Sequence, residues 1–212
     1  MRRLIGFRLR LGESIGGRLE QRVSLARRLQ WLAMMKKRDI PSLQHLCLLT
    51  PPYLLSAWIT KDNVNRLLIE AGAEGEVDLL SLDIDGNDYY IWEAISAINP
   101  RLCVFETHNI IPGNLSLTIP YEDNFNCWAK KGTAQDFRSV SLLAMKKLAE
   151  RKGYRLIGAH RHGFNVFFLR NDIGQDSFPE VSIEHVHANM WTRMGQKDRW
   201  PLVKDMPWVS VE

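Results

Sequence analysis

The chain has 212 residues, 45% of them hydrophobic and 25% charged, a make-up that excludes a disordered or fibrous chain and suits one sizeable globular domain. The net charge is +4, but residues 1–40 hold 11 Lys and Arg against 3 Asp and Glu, or +8, while the remaining 172 hold 17 against 21, or −4. The basic surplus belongs to the N-terminal segment, so a nucleic-acid partner is not expected of the rest.

Cys47, Cys103 and Cys127 show no CxxC spacing, which supports neither a zinc site nor a disulfide framework and fits a reducing cytoplasm. No run of 18 apolar residues exists; the longest candidate, 43–59, contains Gln44, His45 and Thr50-Pro51-Pro52, so no membrane span is expected. The Arg-rich start lacks the apolar stretch of a secretory signal, and nothing else supports reading it as a transit peptide.

In chain order, residues 1–56 read as an atypical basic extension, with Val23, Leu25, Leu29, Trp31 and Leu32 as the apolar set of a helix over 20–37. Pro41, Pro51 and Pro52 mark a loop, followed by a short segment at 53–59. Thr60-Lys61-Asp62-Asn63 then caps a helix with Val64, Leu67, Leu68 and Ala71 on one face and Gly72 at its end. Residues 77–83 form an apolar run without clean alternation, the pattern of a buried parallel strand. A helix follows over 88–97, stopped by Asn99-Pro100. Residues 101–106 are a second buried strand, again ending on an acid. A polar excursion runs to about residue 133, and a helix covers 136–152, closed by Gly153. The strands 154–159 and 165–170 flank Arg161-His162-Gly163 and predict a hairpin. From residue 173 the chain reads as a polar tail.

Alternating strands and helices predict an α/β domain over 57–172 with a mostly parallel sheet and one terminal antiparallel strand. Ligands of such sheets bind beyond the carboxyl ends of the strands. Asp83-Ile84-Asp85-Gly86-Asn87-Asp88 stands at such an end, and Glu106 ends the next strand. A helix cap accounts for one acid there, not for three. Asp83 and Asp85 are therefore the candidate catalytic residues.

Asp83-Ile84-Asp85-Gly86-Asn87-Asp88-Tyr89 with Trp92 and Glu93, Phe105-Glu106 with Ile111-Pro112, and Gly153-Tyr154-Arg155-Leu156 with Asn165-Val166-Phe167-Phe168 resemble the FkbM-like branch of S-adenosylmethionine-dependent methyltransferases. The resemblance covers residues 57–172. It implies a Rossmann-like methyltransferase sheet, with 77–83 as its fourth strand and 101–106 as its fifth. It implies an S-adenosylmethionine site at the switch point, held by Asp83 and Glu106, and methyl transfer to an oxygen of a small molecule or sugar. Asn87, Asp88, His108 and Asn165 complete the site as candidate acceptor-binding residues, and no metal is implied. Upstream of residue 57 no strand leads into a G-x-G loop; Gly12, Gly16 and Gly17 follow Arg8 and Arg10 instead. The sheet is thus expected to be incomplete at its N-terminus. Cofactor binding by this chain alone should be weak or absent, and residues 1–56, an oligomer or a partner must cover the open edge.

Asp83-Ile84-Asp85-Gly86 also resembles the first motif of haloacid-dehalogenase-type phosphatases. That reading makes Asp83 the nucleophile, Asp85 the general acid/base, and Asp172 and Asp176 ligands of a magnesium ion. A non-catalytic remnant or binding module is the third alternative. A calcium loop at Asp83, Asp85 and Asn87 lacks its glycine and glutamate, where Asp88 and Ala94 stand. The pairs His160/His162 and His185/His187 have spacing that also suits a metal.

Overall fold

In a computed structural model of the chain, residues 4–9, 21–26 and 53–212 are described. Seven strands form one mixed sheet: β1 (Leu4–Leu9), β2 (Gln21–Ala26), β3 (Tyr53–Ser56), β4 (Gly75–Asp83), β5 (Ile98–Glu106), β7 (Tyr154–Ala159) and β8 (Asn165–Arg170). Their spatial order is β3-β2-β1-β4-β5-β8-β7. A separate two-stranded ladder joins β6 (Leu117–Thr118) to β9 (Val209–Ser210). The helices are α1 (Val64–Glu70), α2 (Asp88–Ala94), α3 (Leu142–Arg151), α4 (Ile183–His187) and α5 (Met190–Asp198).

The α/β class and the terminal hairpin match expectation, but the sheet is not mostly parallel. Only β1–β4 and β4–β5 pair parallel; β1–β2, β2–β3, β5–β8 and β7–β8 are antiparallel. The physical reason lies in the links. A parallel return needs a crossover of a dozen or more residues, whereas an antiparallel one does not. The link 10–20 between β1 and β2 is shorter than that, and β2 runs back along β1.

The sheet also draws strands from the segment that had been expected to lack them. The expected helix over 20–37 is corrected at Gln21–Ala26, which is a strand; 27–37 lies outside the described residues. The edge beside 77–83 is covered from within residues 1–56, one of the expected alternatives, because β1 pairs with β4 along it.

β4 and β5 carry the core. Leu80, Leu82, Cys103 and Phe105 are buried, with Val166 and Phe168 of β8 and Leu156 of β7 in the same cluster. Val64, Leu67 and Leu68 of α1, Ile91 and Trp92 of α2, and Met145 and Leu148 of α3 pack into it. Trp92 lies 4.2 Å from the Phe105 ring and 5.7 Å from that of Phe168, centroid to centroid. The expected helix over 88–97 ends early, at Ala94, and the strand begins at Ile98. Pro100 is accommodated because β8 stops pairing at Leu102, leaving the Pro100 carbonyl to accept from the Tyr154 hydroxyl at 2.6 Å. The helix expected over 136–152 starts only at Leu142. Ser141 caps it, accepting from the backbone N–H of Ala144.

The C-terminal segment seals the loops above the sheet. Ile110, Ile111 and Val203 form one small cluster, with Trp200 and Trp208 against it. Ile119, Phe125, Cys127 and Phe137 form another, with Met206 and Trp208. Among the described residues no helix is long and apolar enough to cross a membrane.

Candidate functional site

The register of β4 and β5 builds the site. Leu82 pairs with Phe105, and both face the core. One residue on, Asp83 and Glu106 stand side by side on the opposite face, because successive strand residues alternate. The chain then turns. Asp85 takes φ 55°, a left-handed conformation that Asp and Asn tolerate better than other side-chain-bearing residues. That turn returns the Asp85 carboxylate toward the strand ends. One carboxylate oxygen from each of Asp83, Asp85 and Glu106 lies within 4.8 Å of the others.

Asp88 holds the loop. It is fully buried, and its two oxygens accept from the backbone N–H groups of Ile84 (3.1 Å) and Gly86 (3.0 Å). Burial pushes its carboxyl up to about 7, against the pull of those two hydrogen bonds. Asp88 thus acts on the backbone rather than facing a ligand. Gly86 admits Phe125: a Cβ there would stand 2.5 Å from Phe125 Cδ1. Replacing Gly86 by alanine is expected to cost about 1–3 kcal/mol, the range for overpacking a filled site. Urea unfolding measures this, and an unchanged midpoint would show that Phe125 moves freely.

The basic counterpart comes from far along the chain. The Arg138 guanidinium donates to Asp85 Oδ1 at 3.0 Å and lies over the Trp128 ring at 5.3 Å. Trp128 Nε1 donates to the other Asp85 oxygen at 3.3 Å. Burial opposes the charge on Arg138, but Glu106 and Asp85 outweigh it and hold the guanidinium ionised. For Glu106, burial is the largest influence and raises its pKa well above the usual carboxylate range; Asp83, Asp85 and Asp88 push the same way. Its Oε2 is buried with no hydrogen-bond partner among the described residues.

The structure thus brings Asp83, Asp85 and Glu106 together. Asn165 reaches the same edge, since it pairs with Glu106 across β5 and β8. Asn87 is buried in the loop; its amide donates to the Glu122 carbonyl at 2.8 Å, and its Oδ1 is buried without a partner among the described residues. His108 is also buried, with Nε2 2.7 Å from the Asp136 carbonyl, which makes Nε2 the protonated nitrogen. Burial pushes its pKa down to about 3, so the ring is neutral at ordinary pH. His108 braces the loop between β5 and α3.

Asp172 does not join the cluster. It pairs with Arg170, which also holds Glu76 at the start of β4. Seven residue steps along the strand separate Glu76 from Asp83, roughly 23 Å at the rise of a β-strand. The acid set expected for a phosphatase metal is therefore split between opposite ends of the sheet. Neither histidine pair belongs to a group of metal-ligand spacing among the described residues; the acid trio does. His160 Nδ1 accepts from the backbone N–H of Asn165.

Residue spacing carried no signal for Trp128 or Phe125, which lie in the stretch read as a polar excursion, or for Arg138, which lies in the first turn of the helix expected over 136–152. No family model matches this chain, and no curated protein or solved structure does either.

Proposed function

We propose that the chain is a methyltransferase-like protein with a Rossmann-like sheet, binding S-adenosylmethionine in the crevice between β1 and β4 and serving a hydroxyl-bearing acceptor. The observation that carries this reading is the strand order. From β1 the order runs to β2 and β3 on one side and to β4 and β5 on the other, with β1, β4 and β5 parallel. Ligands of open α/β sheets sit where the order reverses, outside the carboxyl ends. Arg8 pairs with Asp83, so β1 and β4 end together there. The stretch that follows β1 carries Gly12, Gly16 and Gly17, the residue type that lets backbone approach a cofactor closely. The antiparallel β2 is a departure from that fold.

The residues present suit this ligand. Asn87 Oδ1 is a buried acceptor without a donor among the described residues, and the ribose hydroxyls and ammonium of S-adenosylmethionine are donors. Asp83, at the reversal point, accepts from such groups and orients them. The cofactor, when bound, supplies an electrophilic methyl group. Glu106, at the end of the strand beside Asp83, is the group placed to take the proton of an acceptor hydroxyl. Asp85 is engaged by Arg138 and Trp128 and positions the loop.

Calorimetric titration of the full chain with S-adenosylmethionine tests the reading. Saturable binding is expected, weakened at least tenfold by Asp83→Asn, about 1.4 kcal/mol. Absence of binding at millimolar cofactor, with the chain folded by circular dichroism, would end it.

A further inference from the structure

Three carboxylates converge on a small volume, and the Arg138 guanidinium bonds to Asp85. Among the described residues, Glu106 Oε2 is left buried without a hydrogen-bond partner. A buried acceptor without a donor destabilises the fold, and more so when it is charged. An occupant bearing positive charge removes that cost.

The spacing indicates which occupant. Two oxygens bound to one cation lie at most two bond lengths apart, about 4.2 Å for Mg²⁺ and about 4.6–5.2 Å for Ca²⁺. The three carboxylate oxygens already lie within 4.8 Å of one another. All three ligands are hard oxygens, with no thiolate or imidazole among them, which selects a hard cation. They come from two neighbouring strand ends and one turn. A cation held on that side keeps further positions for water or for the oxygen of a second ligand.

We infer that Asp83, Asp85 and Glu106 form a binding site for one hard divalent cation of the Mg²⁺, Mn²⁺ or Ca²⁺ class. The inference stands on the carboxylate geometry and does not require methyl transfer. The Arg138–Asp85 pair remains in place, because Asp85 has lone pairs beyond those the guanidinium and the indole occupy.

Mn²⁺ is the probe, added to the full chain without other ligands and followed by loss of the free-ion electron paramagnetic resonance signal. One site is expected, with a dissociation constant of order 10⁻⁴ M or tighter. Mg²⁺ or Ca²⁺ should displace the Mn²⁺, while sodium at equal ionic strength should not. Glu106→Gln and Asp83→Asn should each weaken binding at least tenfold. Asp172→Asn, at the far end of the sheet, should leave it unchanged. If a variant fails to fold, the wild-type chain still decides: its thermal midpoint should rise with millimolar Mn²⁺ and fall back on adding a chelator. No Mn²⁺ uptake at about 1 mM, displacement by sodium alone, or binding that persists in both folded variants would overturn the inference. Cation binding without S-adenosylmethionine binding would uphold it and reject the proposed function; the reverse would do the opposite.

Discussion

Replacing Arg138 by methionine is expected to destabilise the chain by about 3–5 kcal/mol, the usual cost of removing one partner of a buried ion pair. Both side chains of the pair are mostly shielded, with exposures of 18% for Arg138 and 17% for Asp85, so solvent screening does little to soften the loss. Methionine retains the apolar stem of arginine but leaves Asp85 charged beside Asp83 and Glu106. It also removes the cation from the Trp128 ring. Adding Asp85→Asn to Arg138→Met should recover part of the loss, because asparagine removes the orphaned charge and still tolerates φ 55°. Urea unfolding of the four proteins completes the cycle. A single-variant loss below about 0.5 kcal/mol would mean that water already solvates Asp85.

The strands that matter most for the site were legible because they are apolar throughout. Leu79-Leu80-Ser81-Leu82 and Leu102-Cys103-Val104-Phe105 read as strands from composition, and both lie within the observed ones. Their acid termini also carried information, since neighbouring parallel strands ending together must bring Asp83 and Glu106 near each other. β2 was misread although Arg22-Val23-Ser24-Leu25 alternates polar and apolar, the period of a strand. Leucines further on fitted a helical spacing as well, and a short alternation loses to a long one. β1 was obscured by Arg8, which seemed out of place in a buried strand. Arg138 was out of reach for a different reason. It stands 53 residues from Asp85, and only the folded loop brings the two together. Pairing at that separation leaves no periodicity to read. Asp88 was legible as one acid among several, but its task of accepting two N–H groups from its own loop follows only from the φ of Asp85.

His108 and Asp88 should make opposite and comparable contributions to the pH dependence of stability, and single substitutions should unmask each. The His108 pKa is depressed to about 3 in the fold against an ordinary value near 6.5. Between those values the unfolded chain binds more protons, so this group makes stability fall as pH drops from about 6.5 towards 3. Asp88 is raised to about 7 from 3.8. Here the folded chain binds more protons between those values, so stability falls as pH rises from about 4 to 7 and is flat above. Each full excursion is of order 4 kcal/mol at 1.36 kcal/mol per pH unit. Over about pH 4 to 6.5 the two largely offset each other in the wild-type chain. Glutamine in place of His108 keeps an Nε2–H donor for the Asp136 carbonyl but cannot take up a proton. Relative to wild type, His108→Gln should therefore gain stability steadily as pH falls from 6.5 to 4. Asp88→Asn should be weaker by about 1–3 kcal/mol even at pH 4, because its amide can accept only one of the two backbone N–H groups. It should then lose further stability, relative to its own value at pH 6.5, as pH falls. Urea unfolding at several pH values gives the two difference curves. Curves of the same sign, or a flat His108→Gln difference, would show that His108 is protonated in the folded chain and that a neighbouring group has moved to meet the charge.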